Sequence, residues 1–171
     1  MICLLNSSIT INRADLKYSL PLFFLKERNK TMAEFTNIDL QTVALGGNVV
    51  FDETPICPTR CITHREGSGI VRLNGAGNRQ RARYLVAFSG NIQIPTGGTV
   101  GEISLAISLD GEPLLATQMI VTPAAVEEFF NVSAQTYIDV PCNCCVTVAV
   151  ENTSTQAIEV QNANLIVVRT A

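Results

Sequence analysis

From Phe35 to the C-terminus, apolar and polar residues alternate in short runs cut by Gly, Pro, Asn and Asp. Alternation with a period of two marks strands that bury one face. Ile103, Leu105, Ile107 and Leu109 stand on one side of such a run, against Ser104, Ala106 and Ser108 on the other. Asp110-Gly111 follows, a pair suited to a tight hairpin turn, so residues 114–121 are expected as the returning strand. Residues 81–94 form a long candidate strand closed by Pro95-Thr96-Gly97-Gly98. Arg81, Arg83, Leu85 and Ala87 share one of its faces, and Ala82, Tyr84, Val86 and Phe88 the other. Residues 43–51 carry Gly46-Gly47, a bulge or turn. Residues 69–73, 129–140, 146–150, 158–160 and 165–169 complete the set, and residues 122–128 could form one helical turn. No stretch sustains helical periodicity. About eight to ten short strands with frequent turns predict an all-β sandwich, jelly roll or barrel with two antiparallel sheets packed face to face.

Composition narrows the class. Of 171 residues, 47% are hydrophobic and 16% charged, where soluble domains usually carry ~25% charge. A disordered acidic tail or a basic nucleic-acid arm needs more charge and less apolar content. No run reaches the ~18 apolar residues of a membrane-spanning helix. Trp is absent and Tyr occurs three times, so stacking platforms for bases are not expected. Nucleic-acid and membrane partners are therefore not expected.

Charge divides the chain. Residues 1–31 hold five basic and two acidic residues, a net of +3, and residues 32–171 hold seven and thirteen, a net of −6. All three lysines, Lys17, Lys26 and Lys30, fall in the first part. A signal peptide would need a longer apolar stretch than residues 20–25, which Pro21 breaks and Lys26 follows. Lys26-Glu27-Arg28 can be encoded as AAG-GAG-AGG, a purine-rich ribosome-binding sequence just upstream of Met32. Residues 1–31 are thus expected to be a misannotated or disordered extension, with the true start at Met32. Residues 32–171 are expected to be a single domain.

Several segments carry a resemblance. Tyr84-Leu85-Val86-Ala87-Phe88-Ser89-Gly90-Asn91-Ile92 leads into residues 101–113, ending Leu109-Asp110-Gly111-Glu112-Pro113. Tyr137-Ile138-Asp139-Val140-Pro141, Val146-Thr147-Val148-Ala149-Val150-Glu151-Asn152-Thr153-Ser154 and Ala163-Asn164-Leu165-Ile166-Val167-Val168-Arg169 follow. Over residues 43–171 this layout resembles bacterial and phage members of the TNF-like, complement globular-head jelly-roll superfamily. Such domains cap collagen-like filaments on spore surfaces and occur on virions. The resemblance implies a ten-stranded TNF-like jelly roll that assembles as a homotrimer through its inner sheet. The chain departs from the pattern in lacking a Gly-X-Y stretch, so a stalk would come from another protein, and in its cysteine-rich turns.

Cysteine is the most informative residue for chemistry. Cys57 and Cys61 lie in one turn region, and Cys142, Cys144 and Cys145 in another, with Cys3 in the extension. Cys57, Cys61 and His64 with one of Cys142, Cys144 or Cys145 could hold a tetrahedral zinc ion. Disulfides, which need an oxidising compartment, are a second reading. Reduced thiols packed as small hydrophobes are a third. No cofactor is expected otherwise. Cysteine catalysis would need a positioned His, and His64 stands without a nucleophile signature around it. Arg79, Arg81 and Arg83 form a basic stripe that could touch a phosphate or glycan, or pair with acids across a strand or subunit boundary.

The expected function is that of a non-enzymatic structural protein. It would be a trimeric jelly roll on a particle surface, a phage virion (capsid decoration or fibre head) or a spore coat, assembled in the cytoplasm. Its partners would be its own copies and a capsid, coat or stalk protein. The alternative is a glycan- or receptor-binding adhesion module on the same fold, an expectation that rests on analogy of fold.

Overall fold

The structure is a computed structural model and describes residues 31–75, 77 and 81–171. The expectation for residues 1–31, including Cys3, lies outside the described residues except at Thr31. The described chain builds β1 (Met32–Asn37), β2 (Gln41–Val43), β3 (Glu53–Ile56), β4 (Ile62–His64), β5 (Val71–Asn74) and β6 (Ala82–Gln93). It continues with β7 (Ile103–Leu109), β8 (Glu112–Pro113), a 3₁₀ turn (Leu115–Thr117), β9 (Met119–Val121), β10 (Phe130–Val140), β11 (Cys145–Asn152) and β12 (Ile158–Arg169). Among the described residues no helix is long and apolar enough to cross a membrane.

Two sheets form. Sheet A runs β10-β6-β12-β1-β3, with β2 also on β12, and sheet B runs β4-β5-β11-β7-β8, with β9 also on β7. Every strand pair is antiparallel. The chain crosses between sheets from β6 to β7, from β9 to β10, and again on either side of β11. That alternation makes the sandwich a jelly roll rather than a meander.

Alternation along each strand sets the core. From sheet A, Phe35, Tyr84, Val86, Phe88, Leu165 and Val167 point inward, and from sheet B Leu73, Ile103, Leu105, Ile107, Val148 and Val150 meet them. Each large apolar side chain fully removed from water contributes about 1.5–3 kcal/mol. The Tyr84 hydroxyl is the polar tie between the layers. It donates to the Asn74 carbonyl at 2.6 Å, with the Cys61 carbonyl 3.2 Å away. Burial pushes its pKa up to about 12, with neighbouring Cys61 adding to the shift.

Local geometry departs from the sequence pattern in several places, among them residues 43–51, where β2 ends at Val43 and Asn48 and Phe51 make only isolated bridges. The strand expected over residues 114–121 is divided into β8, a 3₁₀ turn and β9. Thr117 is the reason: its Oγ1 accepts from the Ile107 amide at 3.0 Å and donates to the Leu114 carbonyl at 2.8 Å. Residues 158–160 and 165–169 belong to one strand, β12, with a bulge between Gln161 and Asn164 where Asn162 takes φ 54°. β3 and β4 had no clear alternation to announce them; each is short, and β3 contains Pro55, which suits an edge position. Residues 122–128 form bends and a turn rather than a helical turn. Asp110 and Gly111 do make the tight turn, with φ 52° and 84°, both in the left-handed region that a type I′ hairpin needs.

Candidate functional site

The outward side of sheet A is unlike a solvated strand surface. Alternation that buries Tyr84, Val86 and Phe88 turns Leu85 and Ala87 outward on β6, and the same logic turns Ile166 and Val168 outward on β12. Register aligns them: Tyr137 lies opposite Leu85, Leu85 opposite Val168, and Val168 opposite Met32. The next row reads Gln135, Ala87, Ile166 and Glu34, with Ile56 beyond. One row is thus apolar across four strands, the next sets Ala87 and Ile166 between Gln135 and Glu34, and Tyr137 in the first row is 64% exposed.

One step further along the strands the face turns polar, through Ser133, Ser89, Asn164 and Thr36. A shallow concavity of about 520 Å³ lies at this boundary, floored by Ala87, Ser89, Ser133, Gln135, Asn164 and Ile166. Asn164 donates through Nδ2 to Glu34 Oε1 at 2.8 Å, while its Oδ1 is buried without a partner. At the opposite margin Arg83 grips Asp139 across β6 and β10, with Nε–Oδ1 at 2.6 Å and Nη2–Oδ2 at 2.8 Å. The paired guanidinium holds the Asp139 carboxyl below its ordinary range, and the carboxylate raises the arginine in turn.

Of the basic stripe, Arg83 is therefore engaged, Arg81 is exposed, and Arg79 lies outside the described residues. The cysteines gather at one end of the sandwich. Cys61 precedes β4 and accepts at Sγ from Arg169 Nη1 at 3.3 Å. Asn74 connects the two cysteine turns: its amide donates to the Cys61 carbonyl, and Cys145 is its partner on β11. Cys142 and Cys144 are exposed on the turn between β10 and β11.

These positions do not assemble the zinc set. Among the described residues no three His, Cys, Asp or Glu side chains converge on a point a metal could occupy. Cys57 is disulfide-bonded, whereas Cys61, Cys142, Cys144 and Cys145 are free thiols. His64 turns away from all of them. Its ring packs on Phe35 at 4.5 Å between centroids and edge-on to Phe51 at 6.4 Å. His64 Nε2 lies 3.0 Å from the Ser68 carbonyl. A carbonyl only accepts, so Nε2 carries the proton, and Nδ1 is buried without a partner. Pairing with the inward Val71 on β5 is what turns the ring toward the core.

The outward apolar band was within reach of sequence reasoning. On β6 and β12 the residues opposite the core positions are themselves Leu, Ala, Ile and Val. That pattern marks strands covered on both sides.

The architecture is shared with solved structures. It is similar to murine APRIL, with 11% identity, a TM-score of 0.59, and coverage of 82% of this chain and 98% of that chain. It is similar to the Eiger TNF of S. frugiperda at 16% identity, TM-score 0.57, covering 83% and 93%. The globular domain of zebrafish complement 1qA matches at 9% identity, TM-score 0.56, over 83% and 98%. No protein-family model and no curated protein sequence matches the chain. The fold is a TNF-like jelly roll.

Proposed function

We propose that this TNF-like jelly roll is a non-enzymatic structural module that works as a homotrimer, closed through the outward side of sheet A. The observation that carries the reading is the row Tyr137, Leu85, Val168 and Met32. An apolar band of this breadth on a domain surface favours a protein interface. Closed symmetric assembly is the usual way for such a face to be covered. The unpartnered Asn164 Oδ1 beside the band adds an acceptor for a donor from a neighbouring copy. Three copies rather than two is supported by the kinship of the fold, whose members pack this sheet about a three-fold axis.

The particle we favour is a virion surface, as a capsid decoration or fibre head, ahead of a spore coat, with a capsid, coat or stalk protein as neighbour. Its support is the layout of residues 43–171 and the acidic, lysine-free composition after Met32. A non-enzymatic role is supported by the packing of the His64 ring on Phe35 and the commitment of its Nε2 to the Ser68 carbonyl.

Native mass spectrometry of the full chain under reducing conditions tests the assembly. A trimer is expected. A monomer at micromolar concentration would overturn the reading. Immunogold labelling of particles from the producing organism tests the location, with surface label expected and purely soluble label contradicting it.

A further inference from the structure

The outward side of sheet B carries a small polar pocket, several of whose side chains are unengaged within the chain. Ser108 on β7 and Thr147, Ala149 and Glu151 on β11 form its floor. Ser108 lies opposite Ala149 in register, so the two strands bring these residues side by side. Asn48 and Ile70 form walls, and the turn at Gly111 closes one end. The volume is about 150 Å³, well below the ~300–1,000 Å³ of pockets for drug-sized ligands. It suits a single small ring.

The chemistry inside is unspent. Ser108 is only 1% exposed, yet its hydroxyl makes no hydrogen bond to the protein, and it stands on the side of β7 that faces this pocket. Glu151 has neither an ion-pair nor a hydrogen-bond partner for its carboxylate, and the Asn48 amide is equally unengaged. Thr147 Oγ1 is committed to Asp110 Oδ1 at 3.1 Å and keeps acceptor capacity. Buried Ser108 and the half-buried Asn48 and Glu151 thus line one hollow, a set that suits a ligand supplying both donors and acceptors.

We infer that this pocket binds one neutral pyranose ring, as the terminal sugar of a glycan. Sugar hydroxyls donate to Glu151 and accept from Asn48, and either role satisfies Ser108. The C–H face of the ring would lie on Ile70 and Ala149. An ammonium group would also answer Glu151 and the Asn48 carbonyl oxygen, so it is the competing probe in the test, but it would leave the apolar wall of Ile70 and Ala149 uncovered. The pocket lies on the sheet opposite the proposed trimer face, so its occupancy does not depend on that assembly.

Saturation-transfer NMR on the full chain tests this, with glucose, galactose, mannose, N-acetylglucosamine and methylammonium as probes. At least one pyranose is expected to bind with a Kd on the order of 1 mM, with amide shifts at Ser108, Ala149 and Ile70. Glu151→Gln and Ser108→Ala should each weaken it about tenfold or more, with circular dichroism and oligomeric state unchanged. Three results would overturn the inference: no pyranose binding, methylammonium binding in preference to every sugar, or sugar binding indifferent to both substitutions. Loss of the trimer with sugar binding intact would contradict the assembly and leave this site standing.

Discussion

The outward faces of the two sheets are built from the same alternation and end in opposite states. On sheet A, the outward positions of β6 and β12 are Leu85, Ala87, Ile166 and Val168, and they remain partly exposed. On sheet B, the outward positions of β7 are Ser104, Ala106 and Ser108, and all three are buried. Part of that face is engaged by polar ties within the chain. A strap through the 3₁₀ turn and β9 lies along the edge of β7, where β8 and β9 pair with it, and it is held by Thr117 and by Gln118 Nε2 donating to Ser104 Oγ at 3.1 Å. Ser104 is further tied at its amide to Ser154 Oγ at 2.7 Å. Small residues leave little apolar surface to cover, whereas large apolar residues left part-exposed favour a second molecule. One face is small and polar, and the other carries the apolar row through which we propose the trimer closes.

That contrast can be broken most severely on sheet A. Ile166→Glu places a charge in the apolar band, and a carboxylate buried without a partner is strongly unfavourable. The trimer is expected to give way to folded monomer in native mass spectrometry, with the β-sheet circular dichroism retained. Arg72→Glu on the exposed surface of sheet B should leave the trimer intact. A trimer that survives Ile166→Glu would mean the band is not the interface.

Thr117→Val tests the strap. It keeps the shape but leaves the buried Ile107 amide without a partner, at a cost of about 1–3 kcal/mol, while the Leu114 carbonyl keeps the Thr117 amide. Urea unfolding should show that loss while the oligomeric state stays the same. An unchanged midpoint would show that the strap is held by packing alone.

A smaller effect separates the interior from both faces. Tyr84→Phe removes the tie to Asn74 and should lower stability by about 1 kcal/mol at neutral pH. Burial raises the Tyr84 pKa to about 12, so the fold favours the neutral phenol. Its contribution is complete below the ordinary tyrosine value near 10 and is lost as the pH climbs toward about 12. Denaturant midpoints of the parent chain should therefore fall between about pH 9 and about pH 11.5. The Phe variant should fall less steeply. Parallel slopes would place the titration elsewhere.

Much of the fold was legible from residue order. Strict alternation over β7, the Asp110-Gly111 turn, the long β6 and β10, and the absence of helical periodicity all followed from a local rule, that inward and outward side chains differ in polarity. Short strands escaped because β3 and β4 have too few residues to show a period and owe their existence to neighbours. The division of residues 114–121 escaped because one hydroxyl, Thr117, outbids continued pairing. The bulge in β12 escaped because it depends on the register of β6 alongside it.

The candidate sites divide in the same way. Cysteine spacing alone put His64 within reach of Cys61, but the direction of a side chain on a strand is set by its partner, and Val71 turned the ring to Phe35. The sequence by itself determined an all-β sandwich, its long strands and the apolar character of both sides of β6 and β12. Only the tertiary structure decided that the strap lies along the edge of β7, where the thiols came to rest, and that Asn48, Ser108 and Glu151 meet around one hollow. Those outcomes depend on contacts between residues as far apart in the chain as Asn48 and Glu151, and a pattern that repeats every two residues holds no information about distances of that length.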